Sequence, residues 1–162
     1  MENFKEIIKE YHPILYKIGR VYTNDDDFDD LYQEMLIAIW KALKNFRGDS
    51  KISTWLYKVA LNTALTYQRK NKFSFLQKSN LDEIENIPFT HENSAIDREA
   101  SIAALYDAIK QLKSDDRSLV LLYLEEKSYE EMAEILGILT SLVGVKINRV
   151  KKKLFKLLNI EA

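Results

Sequence analysis

Residues 128–154 constrain the fold more than any other stretch of the chain. Ser128-Tyr-Glu-Glu-Met-Ala-Glu-Ile-Leu-Gly137 reads as a short helix. Ile138-Leu-Thr-Ser-Leu-Val143 turns tightly into a second helix, which continues through Gly144-Val-Lys-Ile-Asn-Arg-Val-Lys-Lys-Lys-Leu154. Ser128 is placed to cap the first helix, and Glu131 three residues later completes a capping box. Met132, Ile135 and Leu136 repeat at helical spacing. Ala133 is small enough for another helix to cross close by, and Gly137 can take the left-handed conformation that ends a helix. Thr140 or Ser141 is placed to cap the second helix, whose buried stripe is Val143, Ile147, Val150 and Leu154. A unit of this kind sets its second helix into the major groove of DNA.

A plain helical hairpin would show the same spacing, so the charge layout matters. Residues 99–139 hold Lys110, Lys113, Arg117 and Lys127 against nine acids, a net of −5. Residues 140–162 hold Lys146, Arg149, Lys151, Lys152, Lys153 and Lys156 against Glu161, a net of +5. A positive helix on a negative body is the footprint of a DNA-reading element. The first part of the chain repeats the polarity. Residues 1–40 carry a net of −5 and residues 41–72 a net of +7. The whole-chain net of −1 conceals both swings.

Other function classes find no support. The chain has no Cys, and its two histidines are His12 and His91, so the usual zinc sites and any disulfide are excluded. Four glycines leave no Gly-rich phosphate loop, and no Walker, GxSxG or HExxH motif occurs. No catalytic residue, metal ligand, cofactor or small-molecule substrate is expected. With no signal peptide and no long apolar run, the chain is expected to be soluble and cytoplasmic.

Helical periodicity runs through most of the rest. A first helix spans about Phe4 to Val21, with Pro13 expected to bend or divide it. Thr23-Asn-Asp-Asp-Asp27 is a turn. Leu31, Met35, Ile39, Ala42, Leu43 and Phe46 mark a helix from about Phe28 to Phe46, broken by Arg47-Gly-Asp-Ser50. Leu56, Val59, Ala60, Thr63, Ala64 and Tyr67 mark another from about Ser53 to Lys70. From Asn71 to about Ser94 the period collapses, over about twenty-five residues, a length typical of a linker. Helices resume near Ile96, and Ser114 or Asp115 is placed to cap the next one. The fold class is all-α: two small helical domains, residues 1–71 and 96–162, joined by a flexible linker, residues 72–95.

The first half then becomes specific. Asp29-Asp-Leu-Tyr-Gln-Glu-Met-Leu-Ile-Ala-Ile-Trp40, Asn45-Phe-Arg-Gly48 and Ser53-Thr-Trp-Leu-Tyr-Lys-Val-Ala-Leu-Asn62 resemble region 2 of bacterial RNA polymerase sigma factors. The pattern is nearest that of the extracytoplasmic-function (group 4) class. Residues 101–155 resemble region 4 of the same class, and the two blocks follow in the family's order. The resemblance implies an alternative sigma factor. It would bind core RNA polymerase, at the clamp of the largest subunit and the flap of the second, and recognise the −10 and −35 promoter elements. It would also help melt promoter DNA, and an anti-sigma factor is implied as a further partner.

The same resemblance assigns roles. Asp30, Gln33, Glu34, Ile37 and Trp40 match the clamp-docking helix, and a mixed apolar and polar helix face suits a protein hot spot. Lys44, Arg47, Lys51, Lys58, Arg69, Lys70 and Lys72 surround Phe46, Trp55, Tyr57 and Tyr67. Cations among aromatics suit single-stranded DNA, because cations follow phosphates and rings stack on unpaired bases. By resemblance, Asn45, Lys51, Ser53, Thr54, Trp55 and Asn62 meet the −10 element, and Arg69 and Lys70 its phosphates. Thr140, Ser141, Gly144, Val145, Lys146, Asn148, Arg149 and Lys152 match the −35 positions. The class usually has Lys or Arg at Gly144 and often Ser at Val145, which shifts readout toward Asn148, Arg149 and the Thr140–Ser141 cap. The competing expectation is a stand-alone helix-turn-helix regulator whose N-terminal helices bind a ligand or dimerise. An adaptor protein is a third, and leaves the basic helices unexplained.

Overall fold

The computed structural model describes residues 4–78 and 95–159, with side chains described at 4–71 and 98–159. Among the described residues seven helices follow one another: α1 (Phe4–Tyr22), α2 (Phe28–Leu43), α3 (Ile52–Lys78), α4 (Ala95–Lys110), α5 (Ser114–Leu124), α6 (Tyr129–Leu136) and α7 (Thr140–Leu157). No strand occurs among the described residues.

The first three helices wrap one core. Ile7, Leu15 and Ile18 of α1 meet Leu31, Met35 and Ile39 of α2, and Leu56, Leu61 and Ala64 of α3 close it. Pro13 sits inside α1, which runs unbroken from Phe4 to Tyr22. Gly19 is required at the crossing with α2, since a Cβ there would lie 2.6 Å from the Phe28 ring. α3 runs eight residues beyond Lys70, where its apolar period ends, so the first part of the expected linker is helical backbone. The rest of that linker, residues 79–94, lies outside the described residues.

In the second half, α5, α6 and α7 enclose Leu119, Leu122, Met132, Val143, Ile147, Val150 and Leu154. Ser128 caps α6 by accepting a hydrogen bond from the Glu131 N–H at 3.1 Å. Only this half of the expected box is in place, because the Glu131 carboxylate turns to Lys127, 3.7 Å away. Ser128→Ala should cost about 1 kcal/mol, read as a lower urea midpoint at unchanged slope. Gly137 takes φ +68°, and the Ile138 N–H returns to the Ala133 carbonyl, closing a Schellman turn.

Two caps differ from expectation. Leu139, not Thr140 or Ser141, is the N-cap of α7, and no side chain caps it. The Schellman turn leaves so short a connection that the helix has already begun at Thr140. Lys113 likewise precedes α5, and Ser114 is that helix's first residue.

The two halves pack together. α6 lies against α3, and α1 against α4 and α5. Tyr22 donates its hydroxyl to the Ser114 carbonyl at 2.9 Å. Ser114 donates to the Gln68 side-chain oxygen. Lys17 pairs with Glu125 at 2.5 Å, and Arg20 lies 4.1 Å over the Tyr106 ring. Arg117 is the hub. Its guanidinium donates to the carbonyls of Leu112 (2.9 Å), Val21 (3.1 Å) and Lys110. It thereby gathers the C-terminal carbonyls of α1 and α4, where a cation also opposes the helix dipoles. Burial pulls the Arg117 pKa down, against the neighbouring Tyr22 hydroxyl, whose own pKa burial pushes up.

Candidate functional site

Three exposed surfaces carry the residues singled out in the sequence. The first is the outer face of α2. Leu31, Met35 and Ile39 turn inward. Asp30, Gln33, Ile37 and Trp40 therefore fall together on the opposite side, with Glu34 at its edge, and all five are exposed. Ile37 is 53% and Trp40 52% exposed, high values for large apolar groups. Trp40 meets the edge of the Phe4 ring at 5.2 Å, and the Lys44 ammonium lies 5.9 Å over it. Trp40 is thus held in place without being core.

The second surface begins at the turn after α2 and continues along α3. Gly48 takes φ +77°, which lets residues 44–51 reverse the chain. Asn45 and Lys51 are exposed there. Phe46 packs on Trp55 with ring centroids 4.9 Å apart, leaving both half-buried. Trp55, Lys58, Asn62, Thr66 and Arg69 recur at helical spacing along one side of α3, with Lys70 beside them. Lys58, already named among the cations of this stretch, lies on the ridge, and so does Thr66, which was not singled out; its place in the helical period is the signal that finds it.

Not every −10 candidate lies on that ridge. Thr54 is 3% exposed, so its side chain is not on the surface, and Ser53 is half-buried on the other side of the helix. Tyr57 is fully buried and Tyr67 is 8% exposed, so two of the four interleaved aromatics belong to the core. The Tyr57 hydroxyl is buried without a hydrogen bond. Burial and the adjacent Glu125 carboxylate push its pKa up, while Lys127 lies 5.3 Å over its ring.

The third surface is the outer side of α7. Ser141, Val145, Asn148, Arg149 and Lys152 stand opposite the buried stripe, and all are exposed. Thr140 is exposed at the helix start, and Lys146 is half-buried on a flank. Gly144 is half-buried and faces the Tyr129 ring, 3.4 Å from where its Cβ would be, rather than facing outward with Val145. Lys153 reaches back to Asp116 at 3.3 Å, and Lys151 lies 4.2 Å over the Tyr123 ring. Of the basic residues on α7, Arg149, Lys152 and Lys156 are thus the ones on its outer side.

Sequence reading missed the contact between the halves. Its one visible trace was Arg117, the sole cation in the acidic run from Asp115 to Glu126.

Comparison with known proteins identifies the family. Residues 7–74 match the sigma-70 region 2 family, and residues 102–154 match the sigma-70 region 4 family. The chain is 28% identical to the RNA polymerase sigma factor YlaC of Bacillus subtilis over 158 residues, 96% of this chain and 91% of that one. It is 31% identical to the extracytoplasmic-function sigma-E factor of Escherichia coli over 160 residues, 90% of this chain and 81% of that one. The fold matches that of the sigma factor RpoE in complex with the anti-sigma factor NepR from Bartonella quintana. There the TM-score is 0.76 at 20% identity, over 100% of both chains. Region 2 followed by region 4, on the fold of a solved sigma factor, identifies the chain as a sigma-70 family protein, an extracytoplasmic-function RNA polymerase sigma factor.

Proposed function

We propose that this sigma factor divides its work among the three surfaces. Residues 1–71 would form the unit that holds core polymerase and the −10 element, residues 72–95 a tether, and residues 96–162 the unit that holds the −35 element. Asp30, Gln33, Glu34, Ile37 and Trp40 of α2 dock on the polymerase clamp, and the second half reaches the flap. Asn45, Lys51, Trp55, Asn62, Arg69 and Lys70, joined by Lys58, hold the melted −10 strand. Ser53 and Thr54 act through the backbone and the helix start. Thr140, Ser141, Val145, Asn148, Arg149 and Lys152 enter the major groove of the −35 element, with Lys146 on the flanking phosphates and Gly144 on the Tyr129 side. The protein works by binding, not catalysis, and in the cytoplasm. No helix among the described residues is long and apolar enough to cross a membrane. An anti-sigma factor is the expected negative regulator, the similar RpoE fold having one bound.

The observation that carries this reading is the exposure of Ile37 and Trp40 among acids and amides on α2, in a chain that also exposes a basic α7. A buried Trp40 would have left Ile37 without an aromatic anchor beside it. The uncapped start of α7 adds support, since free helical N–H groups at a DNA-facing end take a phosphate well.

Two variants test the division of labour. Gln33→Ala with Glu34→Ala should weaken core binding and leave the binding of −35 duplex to α7 unchanged. Lys51→Ala with Arg69→Ala should bind core normally and slow promoter opening about ten-fold, the worth of two phosphate contacts. A core-binding titration is run beside a fluorescence assay of promoter melting. Equal losses in both assays for both variants would mean misfolding and would sink the assignment.

A further inference from the structure

Val145 stands at the crest of the outer side of α7. It lies opposite Val143, Ile147 and Val150, and is 56% exposed. Ser141 is one turn before it, and Asn148 and Arg149 one turn after; all three are exposed. Leu142, 43% exposed, and Leu139, 69% exposed, extend an apolar ridge toward the helix start. Lys146 on the flank, and Arg149, Lys152 and Lys156 on the outer side, follow that ridge toward the helix end. A β-branched residue at an exposed position inside a helix is a poorer helix former than Ala or Lys. The helix itself gives no reason for valine there.

An apolar spot beside a row of cations matches duplex DNA. The cations suit the phosphates. Among base edges in the major groove, the apolar group is the thymine C5-methyl. The neighbouring Asn148 and Arg149 carry the groups that bond adenine and guanine edges, so the three side chains read different bases.

We propose that Val145 reads a thymine of the −35 element, through contact of its γ-methyl groups with the C5-methyl of the base. The inference rests on the assignment of α7 to the major groove and adds the base that it selects. Val145 has no hydrogen-bonding group, so it reads its base by shape and desolvation. The selected element must then carry a thymine, on either strand, beneath the middle of α7.

The test uses holoenzyme assembled from the full chain and core RNA polymerase. A promoter is first selected from a library randomised through the upstream element. Each thymine of the selected element is then replaced singly by deoxyuridine, which removes the methyl group and nothing else. One replacement should weaken binding about four-fold, the worth of one buried methyl group. Val145→Ala should weaken the parent promoter by about the same factor and bind thymine and uracil promoters alike, since the contact is already gone. Deoxyuridine tolerated at every position overturns the inference. So does an unchanged uracil penalty in Val145→Ala, or a selected element with no thymine under α7. In those cases the ridge serves a protein partner. If no upstream sequence is enriched at all, the groove assignment itself fails, and the inference with it.

Discussion

An Ile37→Ala, Trp40→Ala double variant should bind core RNA polymerase at least about a hundred-fold more weakly than the parent chain. Truncating one aromatic or aliphatic anchor at the centre of an interface commonly costs about 2 kcal/mol or more, and about 1.4 kcal/mol is a factor of ten. Both side chains are more than half exposed in the free protein, so the fold loses little. Trp40 gives up its edge contact with Phe4, and the α1–α2–α3 core keeps Leu31, Met35 and Ile39. Thermal unfolding should therefore stay within a few degrees of the parent. Unchanged polymerase affinity would remove α2 from the docking surface. A collapse of thermal stability would return Trp40 to the core.

Arg117→Met should loosen the two halves from one another. Methionine keeps most of the side chain's volume but leaves the carbonyls of Val21, Lys110 and Leu112 without their donor. Each buried acceptor left unpaired costs about 1–3 kcal/mol. Water can reach some of this half-buried site, so a net loss of about 2–4 kcal/mol is expected. For a chain of this size that lowers the melting temperature by roughly 2–4 °C per kcal/mol. The contact between α1 and the α4–α5 turn should open as well, seen as a larger radius of gyration in solution scattering. Lys17→Ala should do much less, because its pair with Glu125 is partly exposed and such pairs are worth about 1 kcal/mol or less. Equal effects of the two variants would mean that Arg117 is an ordinary surface cation.

Patterns local in sequence were legible, and contacts between distant segments were not. Ser128 at the cap, Gly137 in the left-handed turn and the stripe Val143, Ile147, Val150 and Leu154 all follow from spacing, because a helix fixes neighbours by period alone. The set Gln33, Ile37 and Trp40 came from the family resemblance, and all three side chains are exposed on α2. Tyr57 and Tyr67 misled because an aromatic among cations reads alike whether it stacks on a base or fills a core. Thr54 misled because its hydroxyl type suggests a surface, while its place one and two turns before the buried Tyr57 and Leu61 turns it inward. Leu139 took the cap position from Thr140 because the connection is set by the Gly137 turn, not by side-chain preference. The extension of α3 past Lys70 could not be read because the sequence there carries no regular apolar period. The Arg117 hub joins residues about a hundred positions apart, beyond any spacing rule.

The most direct test of the account is run-off transcription with purified core polymerase, with and without this chain, on a genomic promoter library. The account predicts that the chain makes core initiate at a small set of start sites. Those sites should share one −10-like and one −35-like sequence at fixed spacing, and the Ile37→Ala, Trp40→Ala variant should abolish them. Duplex binding by the chain alone, with core initiating no differently in its presence, would contradict the account and leave a stand-alone helix-turn-helix regulator in its place.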